Sequence, residues 1–360
     1  MADTSREPVR VTLATLAREL GVSRATVSNA YNRPDQLSAA LRTKILRRAR
    51  ELSFAGPDPL ARGLRRGRVG TVGLLLDEPL SYAFSDPAAR ALLDGLAHSL
   101  QEDGLALTLF ASQPSGLDAT PVRGAAVDGW VVQSLPIDHP FVTAALERGQ
   151  PLVVLDQPAL PGAPLVGIDD LAGAQLATEH LLALGHERLA VLAFKLRGDG
   201  HRGAVSPGRL EAITYEVTRR RYQGVIAGLA AYGRDPDELL VVETPHNDVD
   251  SAAAVAAELL GRDDRPSAVV CFSDQLALGV LTAARAAHLR VPTDLSVTGF
   301  DDTAEAALAD PPLTTVAQPL HDRGAQVGGL LRALIRGESV SSPALGAVAL
   351  TVRRSTAPPQ

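Results

Sequence analysis

Cysteine is nearly missing from this 360-residue chain: Cys271 is the single one, so no disulfide can close within it and no cluster of thiolates can hold a metal. Aromatic residues make up 4% of the sequence, with one tryptophan, so the cores must be filled by aliphatic side chains. No apolar run reaches the roughly 18 residues of a membrane helix, and the opening MADTSREPVR lacks the apolar centre of a secretion signal. A cytoplasmic protein without membrane contact is expected. Histidines at metal-ligand spacing, the lysine motif of a nucleotide-binding P-loop and the G-x-S-x-G of a serine hydrolase are missing too. Gly198-Asp-Gly-His-Arg-Gly203 does spell G-x-G-x-x-G, but Ser206-Pro-Gly208 interrupts the chain where a phosphate-binding helix should open. Neither catalysis nor a metal or organic cofactor is expected.

What is present is unevenly distributed. The net charge of −6 divides into +8 over residues 1–68 and −14 over the remainder. A basic head on an acidic body suits a protein whose one end meets nucleic acid while the rest is repelled from phosphates. At a domain size of about 100 to 200 residues, the length predicts two or three units.

The basic head contains LATLARELGVSRATVSNAYN, residues 13–32. Leu13, Leu16, Ala17 and Leu20 recur at helical spacing, and Gly21 supplies the left-handed residue that ends such a helix. Ser23 is placed to cap a second helix by accepting the Thr26 amide, with Val22 and Val27 forming a hydrophobic staple across the cap. Turning Val22, Val27 and Ala30 inward leaves Arg24, Ala25, Ser28, Asn29 and Asn32 outside, a face of short polar or basic groups with no acid. Two helices around a glycine turn, with Ala17 small enough for close approach, predict a DNA-binding helix-turn-helix more readily than a hairpin that only packs. Ser38 should cap a third helix, buried through Leu41, Ile45, Ala49 and Leu52 and basic on its other side. Residues 1–10 read as a disordered arm and 11–56 as the DNA-binding domain.

Residues 57–68 read as a hinge. Asp58 is a natural N-cap and Pro59 suits the first helical position, yet a helix this short, with Gly63 inside, needs a partner to persist. If two copies meet on DNA, Leu64 can wedge into a minor-groove base step with Arg62, Arg65 and Arg66 beside phosphates.

From Val69 the pattern becomes alternating βα units. Apolar strands are expected at 69–76, 105–110, 129–132, 152–155, 189–194, 239–242, 268–272 and 295–300, with amphipathic helices between them. Strands this apolar need cover on both faces, which predicts two parallel, doubly wound α/β lobes with ligands outside the carboxyl ends of the strands. Trp130, on a strand, reads as core. The segment 196–220 reads as a solvated surface loop, with a lid over the ligand as the alternative.

These residues resemble the LacI/GalR (lactose-repressor) family of bacterial transcription regulators over essentially the whole length. The motifs are Gly21-Val-Ser-Arg-Ala-Thr-Val-Ser28, Ala61-Arg-Gly-Leu64, His180-Leu-Leu-Ala-Leu-Gly-His186, Phe272-Ser-Asp-Gln-Leu-Ala-Leu-Gly279, Gly299-Phe-Asp-Asp302 and Pro312-Leu-Thr-Thr-Val316. The resemblance implies a helix-turn-helix head on a two-lobed core like that of periplasmic binding proteins, and a dimer, or a tetramer, on a near-palindromic operator. A small-molecule effector, sugar or sugar-like, would bind between the lobes and control operator affinity. The family's three lobe crossings would divide residues 69–360 into a first lobe of about 69–168 and 318–337 and a second of about 169–317 and 338–360. Base-reading positions fall on Arg24, Ala25 and Asn29, the last commonly arginine in the family. Effector positions fall on Gln133, Asp156, Arg221, Ser273 and Asp301, with Ser273 where the family often has asparagine. Tyr82, Phe84 and His246 are weaker candidates, and Asp274 reads as a helix cap. A solute-binding protein shares the lobes but would need a secretion signal and would have no basic helical head.

Overall fold

In the computed structural model, which describes residues 11–54, 56, 68–112 and 118–360, the head is built from three helices. Helix α1 (Leu13–Leu20) starts at Thr12, whose hydroxyl accepts the Thr15 amide, and ends at Gly21 with φ 66°. Helix α2 (Arg24–Asn32) is capped by Ser23, which accepts the Thr26 amide at 3.0 Å. Helix α3 (Ala39–Glu51) is capped by Ser38. Leu16, Ala17, Val27, Ala30, Ile45 and Ala49 bury themselves as one small core, with Val22 packed against it, so the expected staple forms. The chain divides into two compact units, Met1–Gly70 and Thr71–Gln360. The expected arm (1–10) and nearly all of the expected hinge, including Arg62, Leu64 and Arg65, lie outside the described residues.

The larger unit holds two sheets. Strands β1 (Thr71–Leu76), β2 (Ala106–Ala111), β3 (Gly129–Gln133), β4 (Leu152–Leu155) and β5 (Leu165–Val166) pair in the order β2-β1-β3-β4-β5, all parallel. The second sheet takes β6 (Leu189–Phe194), β7 (Gly203–Ala204), β8 (Leu240–Thr244), β9 (Ala268–Cys271), β10 (Ser296–Asp301), β11 (Thr314–Ala317) and β12 (Ala349–Thr351). Its order is β12-β11-β10-β9-β6-β8-β7, parallel except for the two edge strands. In both sheets the strand order reverses direction from a central strand, which opens a crevice at the carboxyl ends there. The buried aliphatic residues form separate clusters around each sheet, and Trp130 is fully buried in the first.

The chain passes between lobes three times. After β5 it enters the second lobe; after β11 the helix Leu320–Ile335 returns to pack on the first-lobe helix Pro87–Gln101; then β12 rejoins the second sheet. That helix pair meets backbone to backbone: a Cβ on Gly324 would lie 2.0 Å from the Leu92 carbonyl oxygen, and one on Gly95 1.9 Å from that of His321. The three crossings touch one another, since Gly346 bridges to Ile168, donates to the Gly167 carbonyl at 2.8 Å and lies against Pro319.

Two expectations change. Asp274 does not cap its helix: Ser273 does, accepting the Leu276 amide, because it is the residue with extended backbone at φ −158° before the first turn. Asp274 instead accepts from the Thr303 amide and hydroxyl and from the Thr315 hydroxyl. The segment 196–220 does lie mostly at the surface, as expected, but it is not an irregular loop. It contains edge strand β7, the helix Pro207–Glu211 and the buried Tyr215, because Arg209 pairs with the buried Glu243 of β8 and ties the segment down.

Candidate functional site

On the head, α2 presents the expected face. Ser23, Arg24 and Ala25 are exposed, and Thr26, Ser28, Asn29 and Asn32 are half-buried. The Ser23 and Thr26 hydroxyls lie 2.8 Å apart, Asn32 donates to Ser28 at 3.1 Å, and Asn29 donates to Gln36 at 3.1 Å. The first turn of α2 carries no acid. Such a surface suits phosphates through Arg24 and base edges through the amides.

In the larger unit one cavity of about 120 Å³ lies between the lobes at the carboxyl ends of the strands, and Gln133, Asp156, Arg221, Ser273 and Asp301 all line it. Each arrives from a different element: the end of β3, the residue after β4, the second turn of the helix Glu216–Ala231, the cap after β9, and the end of β10. Ser134, Asp156, Lys195 and Asp301 around it hold positive φ, with Asp301 at 123°. That conformation is costly away from glycine, by about 1–3 kcal/mol, and gathers at ligand sites. Of the weaker candidates, Tyr82 lines the cavity, whereas Phe84 is exposed and His246 is not part of the lining.

The cations of the cavity are each held by acids. Arg221 Nε donates to Asp170 at 2.8 Å, its Nη1 donates to the Phe272 carbonyl, and its guanidinium lies 3.6 Å over the Phe300 ring. Arg323 donates to Asp156 and to Gln318, and its Nε has no acceptor. Lys195 Nζ stands 2.7 Å from both Asp77 and Glu78. Against these three bases the lining carries five acids, Asp77, Glu78, Asp86, Asp156 and Asp301, so the cavity has no cation to spare. Burial pushes Asp301 well above the ordinary carboxyl range, more than Arg221 brings it down, and raises Asp86 as well. Asp77 goes the other way: burial would raise it, but His139, Lys195 and Tyr215 together hold it below. Asn247 donates to the Tyr82 hydroxyl at 3.1 Å and to Asp86 at 3.2 Å, and accepts from Ser273.

Sequence reasoning missed Arg323, Lys195, Asn247, Asp77 and Asp86, and had Tyr215 only within the lid alternative for 196–220. Two of these had a signal. Arg323 sits in the stripe Leu320, Arg323, Gly324, Val327, Gly328, Leu331, a cation on the apolar face of a helix, and Lys195 directly follows an apolar strand.

A family model described as a periplasmic binding protein-like domain matches residues 178–356. An HTH-type transcriptional regulator of Mycobacterium tuberculosis is 45% identical over 92% of this chain and 92% of its own. A LacI-family transcriptional regulator from Corynebacterium glutamicum superposes with TM-score 0.74 at 35% identity, covering 97% of this chain and 99% of that one. The chain belongs to that family. Among solved structures of that family, the lac repressor dimer bound to operator and the anti-inducer ONPF superposes with TM-score 0.73 at 26% identity, covering 96% of this chain and 99% of that one. The complex of the transcriptional regulator CelR with cellobiose gives 0.68 at 31%, over 96% and 100%. This LacI-family regulator is thus a DNA-binding transcriptional regulator with a helix-turn-helix head and a two-lobed core. Among the described residues no helix is long and apolar enough to cross a membrane, and no group of acids, histidines and cysteine could hold a metal ion.

Proposed function

We propose that this regulator is a cytoplasmic, non-enzymatic homodimeric repressor, and that an uncharged sugar or polyol in the interlobe cavity sets its operator affinity. The carrying observation is the charge arrangement of the cavity: Lys195, Arg221 and Arg323 each already face a carboxylate, while Asp86 and Asp301 have no ion-pair partner among the described residues. A phosphate or carboxylate on the ligand would have to compete with the carboxylates that already pair with Lys195, Arg221 and Arg323. Hydroxyls, which donate and accept, suit raised carboxyls and amides. Gln133, Asp156, Arg221, Ser273 and Asp301 are the contacts proposed, with Arg221 and Asp301 orienting the ring. Cellobiose in CelR and ONPF in the lac repressor are the occupants named for two relatives, and the lac repressor's dimer on operator is the model for assembly here.

On the DNA side, Arg24 would read guanine, Asn29 adenine and Ala25 a thymine methyl, with Ser23, Thr26, Ser28 and Asn32 on the backbone. Residues 11–56 would form the reading domain and 57–68 the coupling hinge, where roles for Arg62, Leu64 and Arg65 rest on sequence alone. Ligand changes the relative orientation of the lobes; in a dimer this alters the spacing of the paired hinges and so the population able to grip DNA. The test has two steps. The full chain selects duplexes from a randomised library, and binding to the selected duplex is then titrated with single-ring sugars, polyols and their phosphate esters. Release or tightening by an uncharged compound and not by its phosphate is the expected result. A phosphorylated effector would refute the charge reading.

A further inference from the structure

The cavity is closed on one side by a part of the second lobe that the known role of the cleft does not explain. At the end of β6 the chain leaves Lys195 at φ 47° and runs through residues 196–214 before the helix Glu216–Ala231 begins. This excursion is a lariat with a tied neck: the Thr214 amide donates to the Leu196 carbonyl at 2.9 Å. Its body is fastened by Glu243, only 1% exposed on β8, which accepts the Leu196 amide at 2.8 Å and Arg209 Nε at 2.6 Å. Lys195 and Tyr215, the residues on either side of the neck, therefore stand together, with the ammonium 5.4 Å from the Tyr215 ring centre.

Both reach across to the same two residues of the first lobe. Lys195 Nζ is 2.7 Å from Asp77 and 2.7 Å from Glu78, and the Tyr215 hydroxyl donates to Asp77. Asp77 and Glu78 follow β1, and His139 Nε2 steadies Asp77 from behind at 3.3 Å. Two residues further along, the Val217 amide donates across the cleft to Gln157 of the first lobe at 2.8 Å. The side chains of this junction are 14–19% exposed for the three charged groups, so the pair is screened little by water.

We propose that Lys195 and Tyr215 are the two prongs of a latch that closes the cleft by gripping Asp77 and Glu78, and that the Glu243–Arg209 pin, acting through the lariat, holds the prongs in place. The latch rests on the reading of the cavity as the effector site, because its role is to govern admission to that cavity. A ligand enters when the prongs let go, and it leaves no faster than they do. Arg209 is a positioning residue, since it touches neither the cavity nor Asp77.

The test needs no known ligand. Hydrogen exchange of the full chain reports the latch through the Val217 amide, whose acceptor lies on the opposite lobe. Lys195→Met should raise exchange in the peptide containing Val217 about tenfold or more, because breaking a poorly hydrated ion pair opens the structure locally. Tyr215→Phe should raise it less, and Lys195→Arg should keep it near wild type. Peptides covering β9 should not change. Unaltered exchange at Val217 in Lys195→Met overturns the latch, and so does a matching rise in β9, which would make Lys195 a general support of the fold. The outcome is separable from that of the effector reading. If Val217 is released but no uncharged polyol shifts operator binding, the effector reading fails alone; if such a compound acts while Val217 stays protected, the latch fails alone.

Discussion

Removing the Arg221 guanidinium should cost far more than a lost surface charge. Arg221 and Asp170 are both more than nine-tenths buried, their ion pair measures 2.8 Å, and the guanidinium also lies on Phe300. Burial already pushes the Asp170 carboxyl up, more strongly than Arg221 draws it down, so without the arginine the acid is left desolvated and unpaired. Breaking a buried pair from one side costs about 3–5 kcal/mol, and loss of the ring contact adds up to about 2. For a unit of this size each kcal/mol lowers the midpoint by roughly 2 °C, so Arg221→Met should lower the core transition by about 10 °C in calorimetry. Arg221→Met combined with Asp170→Leu should recover most of that loss, because no lone charge remains. A single variant within about 1 kcal/mol of wild type, or a double variant as unstable as the single, would refute the reasoning.

Three further outcomes are expected. Arg24→Ala should weaken binding to the library-selected duplex by about 1–3 kcal/mol and relax the preference at one base pair, whereas equal loss on random DNA would remove Arg24 from base reading. Gly324→Ala must push its Cβ into the Leu92 carbonyl, so the core should lose about 1–3 kcal/mol in denaturant unfolding, while Gly329→Ala on the same helix, with open space around it, should not. Burial raises Asp274 to about 6, so the folded state holds its proton where the unfolded carboxyl, near 3.9, has lost it. This group's stabilisation is complete below about pH 4 and is lost as pH rises through about 6. The stability difference between wild type and Asp274→Asn should therefore move toward the variant from pH 4 to 6, and a flat difference would contradict the assignment.

The central strands were legible because they are continuous apolar runs: β4 and β6 occupy the residues their sequence predicts. Edge strands were not. Strand β7 is a Gly-Ala pair and β12 three residues, and their pairing depends on neighbours far along the chain. The helix Glu216–Ala231 starts inside the segment 196–220 that the sequence reads as a loop, since its first turns bury Thr218 and Arg221 and so break the apolar period. Cleft positions followed from the family resemblance and from the rule that strand ends carry ligands. What each would be bonded to was hidden, because Arg221 and Asp170 are 51 residues apart and Arg323 and Asp156 are 167 apart. A cation that looked available for a ligand in the sequence is already matched in space.

The three lobe crossings also limit how the lobes can move. Because Gly346 lies against both Gly167 and Pro319, the three crossings behave like leaves bound along one spine rather than a single swivel. Such a spine swings about the line of the leaves and resists twisting across it, so whatever happens in the cleft is turned into motion of one kind.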